Sequence, residues 1–105
     1  MEQPNFSYIN SLCGDDEIFK QKLLDIIKME YPEERDIYLK NSAAKNFKEA
    51  ANNVHKLKHK ISILGLEKSY DIASQFEKNL IEGNESLQEE FNEVLNIITR
   101  FLNEL

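Results

Sequence analysis

The chain has 105 residues, 41% hydrophobic and 30% charged, a length and composition typical of one globular domain spanning residues 1–105. Its single Cys excludes an internal disulfide, and a formal net charge of −6 at pH 7 argues against nucleic acid or an anionic membrane as a partner. Its three glycines are isolated, so no glycine-rich loop could bind ATP, and we expect no ATP-dependent kinase activity.

Two helices are predicted in the first part of the chain. A short N-terminal helix begins near Phe6 and ends at Gly14, a residue that tolerates the left-handed backbone of a helix stop. A first long helix follows, with Asp15 as its N-cap. Pro32 interrupts this helix, and we expect a kink there because no loop-like composition separates the two halves. The helical period predicts a buried face comprising Ile18, Phe19, Leu23, Ile26 and Ile27, continued by Ile37, Tyr38 and Leu39.

Three further helices are predicted in the rest of the chain. The first has a continuous core stripe of Phe47, Ala50, Ala51, Val54, Leu57, Ile61 and Leu64, with Gly65 as its stop. The second buries Tyr70, Ala73, Phe76 and Leu80 and stops at Gly83. The last begins with a Ser86–Glu89 capping box and packs through Leu87, Phe91, Val94, Leu95, Ile98, Phe101, Leu102 and Leu105.

These elements predict an all-α fold. Four amphipathic helices joined by short connections favour an antiparallel up-down-up-down four-helix bundle, with the short N-terminal helix covering one end and a proline kink in the first long helix. No apolar run reaches the roughly 18 residues that cross a bilayer, and no signal peptide opens the chain, so we expect a cytoplasmic protein. Four helices can close a core without a second copy, and we expect a monomer.

The chemistry-bearing residues concentrate in residues 45–60, which contain five lysines, one glutamate and both histidines. Helical geometry places His55 about 120° from the centre of the core stripe, on an outer face with Lys48, Asn52 and His59. Lys58 lies between that face and the core, with an ammonium expected to reach outward. An exposed imidazole beside an ammonium could accept a phosphoryl group, which the ring would attack and the cation would neutralise, although an exposed His beside lysines is by itself ordinary.

Other interpretations of the same segment stay open. The lysines can form an ordinary solvated helix face, or a basic patch that docks an acidic partner. His55 and His59 are four residues apart and could hold one metal ion from a single helix turn. A zinc-protease helix, however, needs a Glu directly after the first His, where this chain has Lys56. The neighbouring lysines also oppose a cation, so no metal site is expected.

The same segment resembles a known signature. Val54-His55-Lys56-Leu57-Lys58-His59, followed by Leu64-Gly65, is similar to the Ala-His-x-Leu-Lys-Gly and Leu-Gly pattern of histidine-containing phosphotransfer (HPt) domains. Gly65 lies ten residues after His55, as that pattern requires. The resemblance covers most of the chain and also includes Leu12-x-Gly14-Asp15, Phe19, Leu23-Leu24, the late proline and Phe76-Glu77. Three positions depart from the family: Val54 replaces Ala, His59 replaces Gly, and Glu77 stands where many members have Gln.

The resemblance implies a phosphorelay intermediate. His55 would accept a phosphoryl group from the aspartyl phosphate of one receiver domain and donate it to another, with Lys58 stabilising the group and Glu77 orienting the ring. Lys48, Asn52, Lys56 and His59 would form the docking surface. The partners would be response-regulator receiver domains or a hybrid histidine kinase, and Mg²⁺ would come from the receiver, with no cofactor bound by this chain. The alternative is a helical adaptor that docks a receiver-like acidic partner without transferring anything.

Overall fold

Five helices joined by short turns form the computed structural model, which describes residues 2–105. The helices are α1 (Ser7–Cys13), α2 (Glu17–Ala43), α3 (Phe47–Ile63), α4 (Glu67–Ile81) and α5 (Gln88–Asn103). The described residues contain no β-strand, so the predicted all-α class is confirmed. No helix within them is both long enough and apolar enough to span a membrane.

The predicted helix ends are confirmed at the glycines, and two predicted starts are wrong. Gly14, Gly65 and Gly83 follow α1, α3 and α4 with φ of 59°, 76° and 76°. The N-cap of α2 is Asp16 rather than Asp15, because the Asp16 carboxylate lies 2.9 Å from the Phe19 amide that it caps.

The start of α5 differs from the predicted capping box. Leu87 occupies the N-cap position with a left-handed φ of 79°, and no side chain caps the helix there. The Ser86 amide instead donates to the Asn84 side chain at 2.8 Å. The Ser86 carbonyl accepts from the Asn79 side chain at 3.0 Å. Ser86 therefore belongs to the polar turn after α4, one residue too early to cap α5.

Helix α2 buries only part of the predicted face, and Leu23, which belongs to that face, is partly buried against the core. Pro32 lies inside one continuous helix of 27 residues, so no second helix starts after it. Ile27 and Tyr38 are buried as predicted, whereas Ile18, Phe19 and Ile26 are 73%, 46% and 46% exposed, and Ile37 and Leu39 are also exposed. The buried face is completed by Leu24 and Tyr31. This helix carries apolar side chains on two sides, and only one side can face the core.

The core lies among α2, α3, α4 and α5, with α1 packed on α2. Its centre is an aromatic cluster in which the Phe91 ring lies 5.2 Å from both the Tyr38 and the Phe76 rings, centroid to centroid. The predicted core of α3 is confirmed, and so is most of that of α4 and α5; Tyr70 and Leu105 are exposed instead, at 37% and 46%. The described residues measure 44 × 23 × 19 Å.

The buried Tyr38 makes stability sensitive to alkaline pH. Its hydroxyl donates to Asn92 Oδ1 at 2.9 Å, and burial raises the pKa of Tyr38 from 10.0 to about 12. The unfolded chain releases this proton near pH 10 and the folded chain keeps it, so the free energy of unfolding should fall by up to about 2–3 kcal/mol between pH 10 and 12. Denaturant titrations across this range should show a shallower fall for Tyr38→Phe. An identical slope in both proteins would contradict the assignment.

Candidate functional site

One face of α3 forms an exposed ridge made of Lys48, Asn52, His55 and His59. All four are solvent-exposed, as the helical geometry predicts, and Lys56 is exposed beside them. The ridge points outward because the opposite face of α3 is fully committed to the core, with Val54, Leu57 and Ile61 each 0% exposed. Burial of those side chains fixes the rotation of the helix, and with it the direction of His55.

A carboxylate on the neighbouring helix orients His55. Glu77 on α4 places Oε2 3.2 Å and Oε1 3.4 Å from His55 Nδ1. The His55 side chain is 57% exposed, whereas Glu77 is 19% exposed. A carboxylate accepts hydrogen bonds, so this contact favours the tautomer with the proton on Nδ1 and a lone pair on Nε2. No residue in the described range 2–105 forms a hydrogen bond to Nε2, so this nitrogen is available to a group from outside the chain.

Lys58 occupies a different place from the predicted one. Its Nζ lies 3.0 Å from Glu77 Oε1, and its side chain is only 14% exposed. The ammonium also lies over the Tyr70 ring, 5.3 Å from the centroid. The carboxylate and the aromatic face both attract the cation toward α4, so it does not reach outward. Glu77 therefore contacts His55 and Lys58 at once, and the three side chains form one cluster.

His59 lies directly beside His55. The two rings are 5.6 Å apart between centroids and nearly perpendicular, at 77°. The residue that replaces the small glycine of the HPt pattern is thus in contact with the imidazole at the centre of the site. A metal ion bridging the two rings would need more ligands, and no group of three or more His, Cys, Asp or Glu in residues 2–105 is placed to hold one.

The basic segment presents fewer free cations than its composition suggests. Lys60 is buried, and its Nζ lies 2.9 Å from Glu30 Oε1 and 3.4 Å from Glu34 Oε1 on α2. Lys45 binds Glu85 at 2.6 Å. The predicted basic patch over residues 45–60 is therefore wrong for Lys60, which faces α2. The sequence feature that indicates this pairing is the presence of Glu30 and Glu34 one helical turn apart, on either side of Pro32.

Sequence reasoning missed two features near the site. Tyr70 was assigned to the core, whereas it flanks Lys58 at the surface. A polar groove of about 870 Å³ also opens between α1 and the start of α4. Its lining comprises Asn5, Ser7, Tyr8, Ser11, Ser62, Gly65, Glu67, Tyr70 and Asp71. The serines and asparagine at the N-terminus were a weak signal of such a groove.

Comparisons with known proteins give no relative: no protein-family model, no curated protein and no solved structure matches the chain.

Proposed function

We propose that the chain is an HPt-like phosphorelay intermediate of two-component signalling in the cytoplasm. His55 accepts a phosphoryl group from the aspartyl phosphate of one receiver domain and donates it to the aspartate of another. The observation that carries the proposal is the geometry of His55, which is half-exposed, held through Nδ1 by Glu77 and without a bonding partner in residues 2–105 at Nε2.

The chemical step involves His55, the aspartyl phosphate and the Mg²⁺ ion bound by the receiver. Nε2 of His55 attacks the phosphorus of the aspartyl phosphate, an N–P bond forms, and the P–O bond to the aspartate breaks. The aspartate leaves as a carboxylate with the bonding electron pair. The Nδ1 proton stays on the ring, whose positive charge is stabilised by the Glu77 carboxylate at 3.2 Å. The reverse sequence of bond changes loads the next receiver.

Lys58 stabilises the transferred group in this proposal. At rest its ammonium is bound to Glu77 at 3.0 Å, one turn of helix from His55. A phosphoryl group on Nε2 brings two negative charges to the cluster and competes with Glu77 for that ammonium. Glu77 is then free to bond the positively charged ring. The Mg²⁺ that neutralises the aspartyl phosphate belongs to the acidic site of the receiver.

Lys48, Asn52, Lys56 and His59 form the docking surface for the receiver. They surround His55 on the exposed side of α3, and the two lysines have no ion-pair partner in residues 2–105. Their charge complements the acidic site of a receiver. Partners of this kind must exchange, so we expect a modest interface and a weak complex.

The helix arrangement that fits this function is an up-down-up-down bundle of α2 to α5. Contacts made by α2 support it, because they fit an antiparallel alignment of α2 with both α3 and α5. Asn41 bonds Asn53 while Glu30 binds Lys60, and Tyr31 bonds Leu95 while Ser42 bonds Gln88. In this arrangement α2 bends at Pro32, which has no amide hydrogen to complete the helical ladder.

The proposal is tested by labelling the purified chain with a phosphorylated receiver domain or with phosphoramidate. We expect one phosphoryl group per chain by intact mass, lost in acid and stable in base, as is typical of an N–P bond. Labelling from the receiver should require Mg²⁺, whereas labelling from phosphoramidate should not. No labelling by either donor, under conditions that label a known HPt domain, would overturn the proposal.

Glu77 should act as a positioning residue. Glu77→Ala removes the acceptor for the Nδ1 proton, and we expect phosphoryl uptake to slow by about 10–100-fold. Glu77→Gln keeps a carbonyl oxygen that can accept this bond, and its rate should stay within about 10-fold of wild type. Nitrogen NMR shifts of His55 would report the tautomer directly. Equal rates and equal tautomer populations in the wild type and Glu77→Ala would contradict the role.

A non-transferring adaptor is the second candidate. It is favoured by one observation, the contact between the His59 and His55 rings at 5.6 Å, which crowds the place where a receiver must approach. An adaptor binds its partner through the same ridge. It therefore keeps its binding and its function in cells when His55 is replaced by Gln, whereas a relay protein loses its function.

A further inference from the structure

The outer side of α2 carries an apolar stripe that no other part of residues 2–105 covers. We call this surface the α2 outer stripe and define it by six residues: Ile18, Lys22, Ile26, Met29, Glu33 and Ile37. Its apolar members are 73%, 46%, 70% and 48% exposed in that order. At 100° per residue the six positions fall within an arc about 100° wide. They extend over about 28 Å of helix at 1.5 Å per residue.

The stripe is complementary to itself when two copies of α2 run antiparallel. With the twofold axis between residues 27 and 28, Ile18 meets Ile37 of the second copy, and Ile26 meets Met29. Lys22 then lies opposite Glu33, and both are exposed with no ion pair to any described residue. A parallel pair would instead place Lys22 on Lys22 and Glu33 on Glu33, which is unfavourable.

Charged residues at the two ends of the α2 outer stripe are also complementary in this antiparallel register. Lys40, also exposed, lies on this side of α2 and would reach the start of the second α2, where Asp15 and Asp16 are. The two helix dipoles are opposed in an antiparallel pair, so the negative C-terminal end of each helix meets the positive N-terminal end of the other.

We propose that the occupant of the α2 outer stripe is a second copy of this chain, in a twofold symmetric dimer. A symmetric interface uses the same surface patch on both copies, which a self-complementary stripe provides. A stable specific interface buries about 1,200 Å² or more in total. Each copy offers four exposed apolar side chains spread over about 28 Å of helix, so the interface is modest and we expect a weak, reversible dimer.

This dimer revises the expectation of a monomer. That expectation assumes four helices that bury their apolar faces against one another. In the structure, α2 has a second apolar face outside the core, and Ile18 and Ile26 belong to it.

Sedimentation equilibrium of the full chain, from about 1 μM to 1 mM and without any phosphoryl donor, tests the dimer. We expect reversible dimerisation in the wild type. Met29→Glu places a charge near the twofold axis and should weaken it at least about 10-fold. Ile81→Glu changes a side chain that is 65% exposed at the end of α4, so it serves as the matched control and should dimerise like the wild type.

A charge exchange tests the register. Lys22→Glu and Glu33→Lys should each weaken the dimer, since each places like charges opposite one another, and the double variant should restore it. A wild type that stays monomeric at every concentration would overturn the proposal. So would a double variant that is weaker than either single one. A third outcome would also overturn the dimer: the wild type stays monomeric, and the Met29→Glu variant is no longer labelled by a phosphorylated receiver. The α2 outer stripe would then be a docking surface for the receiver.

Discussion

A His55→Gln variant is expected to take up no acid-labile phosphoryl group from a donor that labels the wild type. The loss should be at least about 100-fold, because the glutamine amide nitrogen has no lone pair available for attack on phosphorus. Glutamine keeps the polarity of the side chain at a surface position that is 57% exposed, so the fold should be unaffected. Intact mass after incubation with phosphoramidate measures the difference directly.

The matched control is His59→Gln, which changes the other imidazole on the same ridge. It should retain one phosphoryl group per chain, with an uptake rate within about 10-fold of wild type. Labelling that survives in His55→Gln and disappears in His59→Gln would move the acceptor to His59. Loss of label in both variants would mean that the two rings act together, which their contact at 5.6 Å permits.

Replacing Phe76 with Ala should lower the free energy of unfolding by about 3–5 kcal/mol. The Phe76 side chain is 1% exposed, and its ring lies 5.2 Å from Phe91 and 6.3 Å from Tyr38. Its removal leaves a cavity where α2, α4 and α5 meet. The cavity adds to the lost transfer free energy of the ring because well-packed neighbours relax only in part. Urea denaturation, monitored by circular dichroism, would measure the change.

Two further variants serve as references for the loss of stability in Phe76→Ala. Phe76→Leu retains most of the buried apolar surface and should cost clearly less than Phe76→Ala. Ile81→Ala, five residues later on the same helix and 65% exposed, should change stability by no more than about 0.5 kcal/mol. A loss below about 1 kcal/mol for Phe76→Ala would show that the aromatic cluster is not the centre of the core.

The sequence allowed the fold of α3 to be predicted better than that of α2, for a physical reason. Helix α3 has apolar side chains on one side only, so its period points to a single buried face. Helix α2 has apolar side chains on two sides, and the side that is buried in the core is the one that carries Tyr31 and Tyr38. Both tyrosines find partners for their hydroxyls on α5, Leu95 at 2.7 Å and Asn92 at 2.9 Å. Those hydrogen bonds depend on how two distant helices align, which periodicity does not describe.

The candidate site was likewise predictable only in part from the sequence. The exposure of His55 and His59 follows from helical geometry alone. The pairing of Lys58 with Glu77, and of Lys60 with Glu30 and Glu34, depends on the alignment of α3 with its two neighbours. A lysine in a basic segment is ordinarily expected to face water. Carboxylates on the facing helices reverse that expectation at two of the five lysines.

The Glu77 carboxylate, which contacts both His55 and Lys58, gives the surface of the proposed carrier two electrostatic states. In the unphosphorylated chain, the Glu77 carboxylate and the Lys58 ammonium offset each other's charge at a distance of 3.0 Å. Loaded, the same cluster is anionic, and its ammonium is drawn toward the phosphoryl oxygens. A partner that approaches the ridge therefore meets a different surface potential on full and empty carriers. In the proposed relay, such a difference would let a receiver release the unphosphorylated carrier and bind a phosphorylated one without any change in backbone shape.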